Sequence, residues 1–294
     1  MRINLIYYLY ELNGAYTSFE DLFYNLRKYT KHDVRFIVLY RDKNIFLRFK
    51  EYLAFGNGIA YIQFAKMNKD GTRPKEIIYD ISGDVNIISS EVIHLQLENK
   101  ITLSAEKCIL FYPAMIYKEE AKDTTKYHYE LDFVKNNKVL VICNKYNSKY
   151  FDNCFIWDMK FSEERIQRQL KLNTCDKDVL VAEEYYKSKM NGINIKPFTY
   201  KTYKYYRYDK KNDYNNYNLA RYYENIGKLM FEFVLFGKES IYLPMNKCFD
   251  DGLTEFMNYL GYNDEEERMF TIDDKKQIED RIYMKDNDVI LSLF

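Results

Sequence analysis

Residues 1–40 read MRINLIYYLYELNGAYTSFEDLFYNLRKYTKHDVRFIVLY, and the changes of character along them decide the fold. Arg2–Leu9 is an apolar run of β-formers that predicts a strand. Tyr10–Tyr16 (YELNGAY) is a loop containing Asn13-Gly14. Thr17 or Ser18 can then cap a helix, because a side-chain hydroxyl there accepts from the open N–H groups of the first turn. Phe19, Leu22, Phe23 and Leu26 follow at the spacing of one helical face. Val34–Tyr40 is a second continuous run of β-formers. Strand, helix and buried strand predict a βαβ unit and hence a parallel sheet.

Working outward, Asn44–Phe55 repeats the helical pattern and Ile59–Phe64 the strand pattern, with further apolar runs at Val85–Ile88, Cys108–Tyr112 and Val139–Cys143. The first half therefore reads as a doubly wound α/β domain. Tyr146–Phe161 (YNSKYFDNCFIWDMKF) breaks the rhythm with polar residues and the only Trp, and reads as the crossing between domains 1–155 and 156–294. Ser162 can cap a helix over Glu163–Leu172, with acids in its first turn as the helix dipole prefers. A Tyr-rich extended stretch (Phe198–Tyr208), a polar loop (Asp209–Asn218), a helix over Ile226–Phe236, a strand over Ser240–Leu243 and a helix over Leu253–Leu260 follow. The apolar run Val289–Phe294 should dock on a core.

A chain of 294 residues, 47% hydrophobic, fits two cores. Lys+Arg equals Asp+Glu at 44 each, so no basic excess advertises a nucleic-acid or membrane-surface partner, although a local patch is compatible with that balance. The five cysteines, Cys108, Cys143, Cys154, Cys175 and Cys248, contain no CxxC pair and read as reduced cytoplasmic thiols. His32, His94 and His128 form no metal-binding spacing, so no protein-bound transition metal is expected, and without a GxGxxG no bound nicotinamide cofactor is expected. No run approaches the ~18 apolar residues of a membrane span, and the N-terminus reads as a first strand rather than a signal peptide. The 31 Tyr and 20 Phe, with many Lys, Asn and Ile, match AT-rich codons and suggest a bacterial or phage genome.

The strongest local signal is Glu224-Asn225-Ile226-Gly227-Lys228-Leu229-Met230-Phe231-Glu232, followed by Gly237-Lys238 and a strand. If Ile226 opens the helix, the N–H groups around Ile226–Lys228 are free for an anion, and Gly227 leaves room for a phosphate. Glu232 then lies six residues into the helix, an axial rise of ~9 Å. That is about the span from a sugar, across a diphosphate, to a ribose.

This segment resembles the EX7E motif of retaining GT-B glycosyltransferases, and Gly237-Lys238-Glu239-Ser240-Ile241 is similar to the Gly-Lys-strand sequel of that family. The close match covers ~25 residues. The resemblance implies an α/β, GT-B-like protein of two Rossmann-like domains with a cleft between them, acting on a nucleotide sugar such as UDP-glucose. It implies that Glu224 sits over the donor sugar, that Asn225, Ile226, Gly227 and Lys228 approach the distal phosphate, and that Glu232 holds the ribose. It also implies an Arg and a Lys against the donor diphosphate. Arg207 with Lys210 or Lys211 fits, an Arg fork and a Lys point charge suiting two phosphates that gain charge as the sugar leaves. Only 16 residues separate Arg207 from Glu224, fewer than in much of the family, and Arg221 and Lys228 are competing donors.

Two strand ends add candidates. Doubly wound sheets bind ligands beyond the carboxyl ends of their strands, where Asn13 and Gly14 follow the first strand; the resemblance implies that this loop faces the donor and acceptor, although a tight Asn-Gly turn explains it equally. Ser89-Ser90-Glu91, after Val85–Ile88, offers Glu91 or His94 to an acceptor, although a simple helix cap explains it better. Asp286-x-Asp288 is similar to the metal-binding DxD of another glycosyltransferase class but lies far from any nucleotide-binding βαβ. The absence of a Gly-rich dinucleotide fingerprint counts against a nucleotide-sugar epimerase. The acceptor expected from compactness, AT bias and lack of membrane features is a hydroxymethylated pyrimidine in duplex DNA, as for phage-type enzymes. A bacterial surface polysaccharide, or a non-catalytic nucleotide- or glycan-binding role, remains the alternative.

Overall fold

A computed structural model describes residues 1–10, 14–41, 43–50, 53–64, 79–97, 101–113, 125–157, 160–172, 180–181, 219–222, 231, 234–235, 239–242, 261–263 and 268–294. The chain divides into two units, Met1–Ser162 with Met284–Phe294, and Glu163–Tyr283.

The first unit is built on a seven-stranded sheet. Its strands are β1 (Arg2–Tyr8), β2 (Asp33–Tyr40), β3 (Ile59–Gln63), β4 (Tyr79–Ile88), β5 (Ile101–Tyr112), β6 (Leu140–Cys143) and β7 (Cys154–Ile156). They lie in the order β3-β2-β1-β4-β5-β6-β7, every neighbouring pair parallel. This Rossmann-like order reverses between β1 and β4, the two strands on which the sheet is wound in opposite directions. The expected α/β class and parallel sheet are therefore present.

Side chains alternate along each strand, so each face of the sheet has its own layer. On one face lies α1 (Gly14–Tyr29). Its Tyr16 and Phe19 meet Tyr7 of β1 at 5.6 and 5.4 Å, and Phe19 also meets Phe111 of β5 at 5.0 Å. Phe23 packs on Phe36 of β2 at 5.8 Å, and Trp157 closes the layer against Phe111 at 6.0 Å. Aromatic residues cost a helix up to ~0.7 kcal/mol each in propensity. Burying each contributes ~1.5–3 kcal/mol, so packing decides that α1 is a helix. On the other face α3 (Ser90–Leu97) and α4 (Thr125–Asn136) cover Ile6, Ile88, Leu110 and Val141 with Val92, Ile93, Leu95 and Val134.

Several boundaries move from those expected. The helix α1 begins at Gly14, so Thr17 and Ser18 are buried inside it rather than capping it. Helix α2 (Lys43–Phe49) stops short of Phe55. The chain then turns through Gly58, which has φ +84° and a site where a Cβ would stand 3.1 Å from the Val34 carbonyl oxygen. Strands β4 and β5 extend well before their apolar halves, pairing from Tyr79↔Ile101 onward. The stretch Tyr146–Phe161 is not only a crossing: it supplies the short helix α5 (Lys145–Ser148) in part and the edge strand β7, with Val141↔Cys154 in register.

Helix α4 ends in a Schellman motif. Val139 N–H donates to the Val134 carbonyl at 3.0 Å and Lys138 N–H to Lys135 at 3.3 Å, while Val134 and Val139 are both buried. Lys138 occupies the left-handed position with φ 50°, where a side chain is strained and glycine is not. Lys138→Gly should therefore raise unfolding free energy by ~0.5–1 kcal/mol, read as a shifted urea midpoint at unchanged slope. A lower midpoint would show that the lysine side chain contributes more than its backbone costs.

The apolar run Val289–Phe294 does dock. It forms a 3₁₀ turn (Val289–Leu293) that buries Ile290 completely. Asp288 Oδ1 accepts from Trp157 Nε1 at 3.0 Å and from Ile290 N–H at 3.2 Å. Tyr29 Oη donates to the Met284 carbonyl at 2.7 Å and Lys107 Nζ to the Leu293 carbonyl at 3.2 Å.

The second unit has a four-stranded sheet of β8 (Leu180–Val181), β9 (Leu219–Tyr222), β10 (Glu239–Tyr242) and β11 (Arg268–Phe270), ordered β11-β10-β9-β8. β8, β9 and β10 are parallel and β11 is antiparallel. Helix α6 (Glu163–Leu172) carries Glu163 and Glu164 in its first turn, as expected. Leu180–Val181 forms the short strand β8 at the sheet edge. Phe270 is fully buried between Phe231 and Tyr262, at 5.8 and 5.0 Å. A capping box follows, Thr271 N–H donating to Asp274 Oδ2 at 3.0 Å, and it starts the turn into α7 (Lys275–Ile282).

Candidate functional site

The reversal of strand order between β1 and β4 defines the candidate site in the first unit. At such a point the two following connections leave toward opposite faces, and a crevice opens at the carboxyl edge. β1 runs through Leu9, whose N–H donates to the Leu39 carbonyl at 2.8 Å, to the exposed Tyr10. Gly14 opens α1, a helix with no acid in its first turn. A helix amino terminus without an acid in its first turn carries the positive end of the helix dipole uncompensated by a local carboxylate.

Beside it, β4 ends at Ile88 and Ser89 N–H donates to the Ile6 carbonyl of β1 at 3.0 Å. Ser89 is 3% exposed, and its Oγ is buried without a hydrogen-bond partner. An unserved buried hydroxyl costs ~1–3 kcal/mol. Glu91 stands in the first turn of α3, half-buried. The sheet order thus brings together the strand ends that carry Gly14 and Glu91. A buried hydroxyl and a half-buried carboxylate therefore stand at the end of β4, beside that of β1.

His94 is committed elsewhere. Its Nε2 lies 3.4 Å from Oε1 of the buried Glu130 on α4, within the helical layer. Asp288 of the Asp286-x-Asp288 pair serves as the cap and Trp157 acceptor described above. Among the described residues no group of three or more His, Cys, Asp or Glu side chains could hold a metal ion. Cys108 and Cys143 are free thiols whose burial pushes them up to about 11 and about 12, which keeps them protonated and unreactive at neutral pH.

Asn13, Arg207, Lys210, Lys211, Glu224, Asn225, Ile226, Gly227, Lys228 and Glu232 lie outside the described residues. Their surroundings in sequence are described. Glu224 follows the last residue of β9, Tyr222, by two positions, and the next strand, β10, is the parallel neighbour of β9. Between them Phe231, Val234 and Leu235 are helical and buried. In sequence the Glu224–Glu232 motif thus lies between two parallel neighbours.

Two features escaped the sequence. Asn4 and Asn86 form a buried carboxamide pair across β1 and β4, Asn4 Nδ2 donating to Asn86 Oδ1 at 2.9 Å and to the Ser82 carbonyl at 3.0 Å. The only signal was an Asn inside each apolar run. The buried Ser89 hydroxyl was visible as a residue, but its lack of a partner is a tertiary property. No family model matches the chain, and neither the curated proteins nor the solved structures include a match.

Among the described residues no helix is long and apolar enough to cross a membrane.

Proposed function

We propose that the chain is a retaining glycosyltransferase of the GT-B class that uses a nucleotide sugar such as UDP-glucose. In this reading the C-terminal unit holds the donor and the N-terminal unit the acceptor. The observation that carries it is the Glu224–Glu232 spacing, in the stretch of sequence between the parallel strands β9 and β10. A segment that leaves the carboxyl end of a parallel strand and enters a helix is where α/β proteins bind phosphates. The Rossmann-like order of the first sheet, with Ser89 and Glu91 at its reversal point, supports a second hydroxyl-bearing substrate there. Glu224 acts on the donor sugar, Glu232 holds the ribose, and Arg207 with Lys210 or Lys211 neutralises the departing diphosphate.

For the acceptor we propose a hydroxymethylated pyrimidine in duplex DNA. Arg41, Lys43 and Lys50 are exposed around α2, a small cationic patch on a neutral chain. Affinity for duplex should accordingly fall with salt at a slope corresponding to only ~2–4 phosphates. A base in a duplex must also be flipped out, so mismatched targets should react faster. The deciding experiment incubates the purified chain with several nucleotide sugars and with modified duplex, unmodified duplex or oligosaccharide, followed by mass spectrometry. Sugar on the modified nucleoside supports the proposal. Sugar only on the saccharide reassigns the acceptor, and nucleotide-sugar binding with neither transfer nor hydrolysis removes the enzyme reading.

A further inference from the structure

Along the β3 edge of the first sheet, a row of aromatic rings runs beside exposed cations. Tyr40, at the carboxyl end of β2, stacks on Phe46 of α2 with ring centroids 4.9 Å apart. Phe46 meets Tyr61 of β3 at 5.2 Å, and Tyr61 meets Phe55 at 5.1 Å. The row thus steps from the end of β2 to the turn before β3. Tyr10 and Phe55 are the two exposed aromatics among the described residues, and Phe55 is the more open, at 54% against 39%. Leu47, next to Phe46 in α2, is exposed as well.

Phe55 is presented by a fixed backbone. The Ala54 N–H donates to Tyr16 Oη at 3.2 Å and the Ala54 carbonyl accepts from Tyr61 Oη at 2.6 Å, so the chain just before Phe55 is pinned on both sides. Tyr16 itself is buried in the core. A ring held in this way loses little freedom when a partner stacks on it. Arg41 precedes α2, Lys43 opens it and Lys50 follows it; all three are exposed, and none is in an ion pair with a described residue. In sequence, residues 41–51 carry four cations against two acids, on a chain of zero net charge.

We propose that this edge binds an unpaired strand of nucleic acid, with a base stacked on Phe55 while Arg41, Lys43 and Lys50 meet the phosphates. Every base has a face that stacks on an aromatic ring, and cations alongside track the backbone, which is the combination that single-strand sites use. A run of acidic side chains satisfies the cations without offering a flat face to the ring. A neutral glycan covers the ring and leaves the cations without counter-charge. A duplex keeps its bases inside, so the ring also discriminates between paired and unpaired strands. The surface shares its cations with the duplex contact proposed above but needs no sugar transfer, and a strand that binds without being glycosylated leaves it standing.

The test measures binding of labelled oligo(dT) to the full chain by fluorescence anisotropy, with no nucleotide sugar present. The control is an abasic strand with the same number of phosphates. Oligo(dT) should bind at least ~5-fold tighter than the abasic strand, the lower end of what one stacked base contributes. Phe55→Ala should remove that preference and Phe55→Trp should keep it. The indole brought in by Phe55→Trp should also be quenched by oligo(dT) and not by the abasic strand, against the constant background of the buried Trp157. Lys43→Gln combined with Lys50→Gln should lower the salt slope by ~1.4 for both strands, two phosphates at ~0.7 each. No binding of either strand at low salt, equal affinity for the two strands, or an unchanged preference in Phe55→Ala would each overturn the proposal. Displacement of oligo(dT) by a neutral oligosaccharide that quenches the same indole would overturn it in favour of a glycan surface. Because no donor is present, failure of the sugar-transfer reading changes none of these results.

Discussion

Arg207→Ala is expected to cut sugar-transfer turnover by ~10²-fold or more, the scale on which enzymes lose a preorganised group facing developing charge. As the glycosidic bond breaks, the diphosphate gains negative charge, and a guanidinium fork stabilises that state more than the bound donor. The loss should therefore appear in kcat rather than in KM. Glu224→Ala should behave the same way if, as proposed, its carboxylate acts at the donor sugar. Glu232→Ala should instead raise KM, losing charge-assisted hydrogen bonds to the ribose worth ~1.5–3 kcal/mol, with kcat largely kept. If arginine and lysine supply the positive charge, as proposed, EDTA should leave the rate unchanged. Activity that disappears with EDTA and returns with manganese would transfer the leaving-group role to a metal. Wild-type kinetics in both glutamate variants would show that the eight-residue spacing of Glu224 and Glu232 is incidental.

Gly83→Ala is expected to destabilise the first unit by ~2–4 kcal/mol, a size reserved for overpacking combined with a broken buried hydrogen bond. Strands β4 and β5 continue past the amino end of β1, whose pairing with β4 starts only at Ile3↔Val85. The Ser82 carbonyl near that end is served by Asn4 Nδ2, and a Cβ on Gly83 would collide with the same carboxamide. Asn4 is 1% exposed and is held on its other side by Asn86, so it has no vacant volume to enter. The measurement is a urea melt followed by the near-ultraviolet signal of Trp157, which belongs to this unit. Wild-type stability in Gly83→Ala would mean that the pair shifts without cost. The double variant Gly83→Ala with Asn4→Ala should recover part of the loss, because it removes the collision but leaves the Ser82 carbonyl unserved.

What the sequence made legible was burial along short stretches. The βαβ of residues 1–40 was readable because Leu5, Tyr7, Phe36 and Val38 face one helical layer while Ile6 and Leu39 face the other, leaving continuous apolar runs. The amino-terminal halves of β4 and β5 were not readable. Tyr79–Asp84 and Ile101–Lys107 are held by their mutual register and are largely exposed or half-exposed, so hydropathy carries no trace of them. β7 was missed because an edge strand of three residues with an exposed Ile156 resembles a loop. The strand ends at the β1–β4 reversal were suggested by position alone, and their adjacency required the sheet order. The asparagine pair joins residues 82 positions apart, a distance over which no local pattern speaks. For the donor motif the sequence offered its spacing, and the structure adds the parallel strands on either side of it.

The return of Met284–Phe294 to the first unit has a consequence for the order in which the chain can fold. Every strand of the large sheet has been made by Ile156, but Ile290, the Asp288 acceptor for Trp157 and the carbonyl partners of Tyr29 and Lys107 all come after residue 283. Domains generally fold as they emerge from the ribosome, amino-terminal first, at roughly 5–20 residues per second. Here the first sheet must wait with part of its α1 face uncovered while the whole of Glu163–Tyr283 is synthesised, a delay on the order of ten seconds at those rates. During that interval Trp157 lacks its acceptor, and the nascent chain is a natural client for a chaperone that binds aromatic surface.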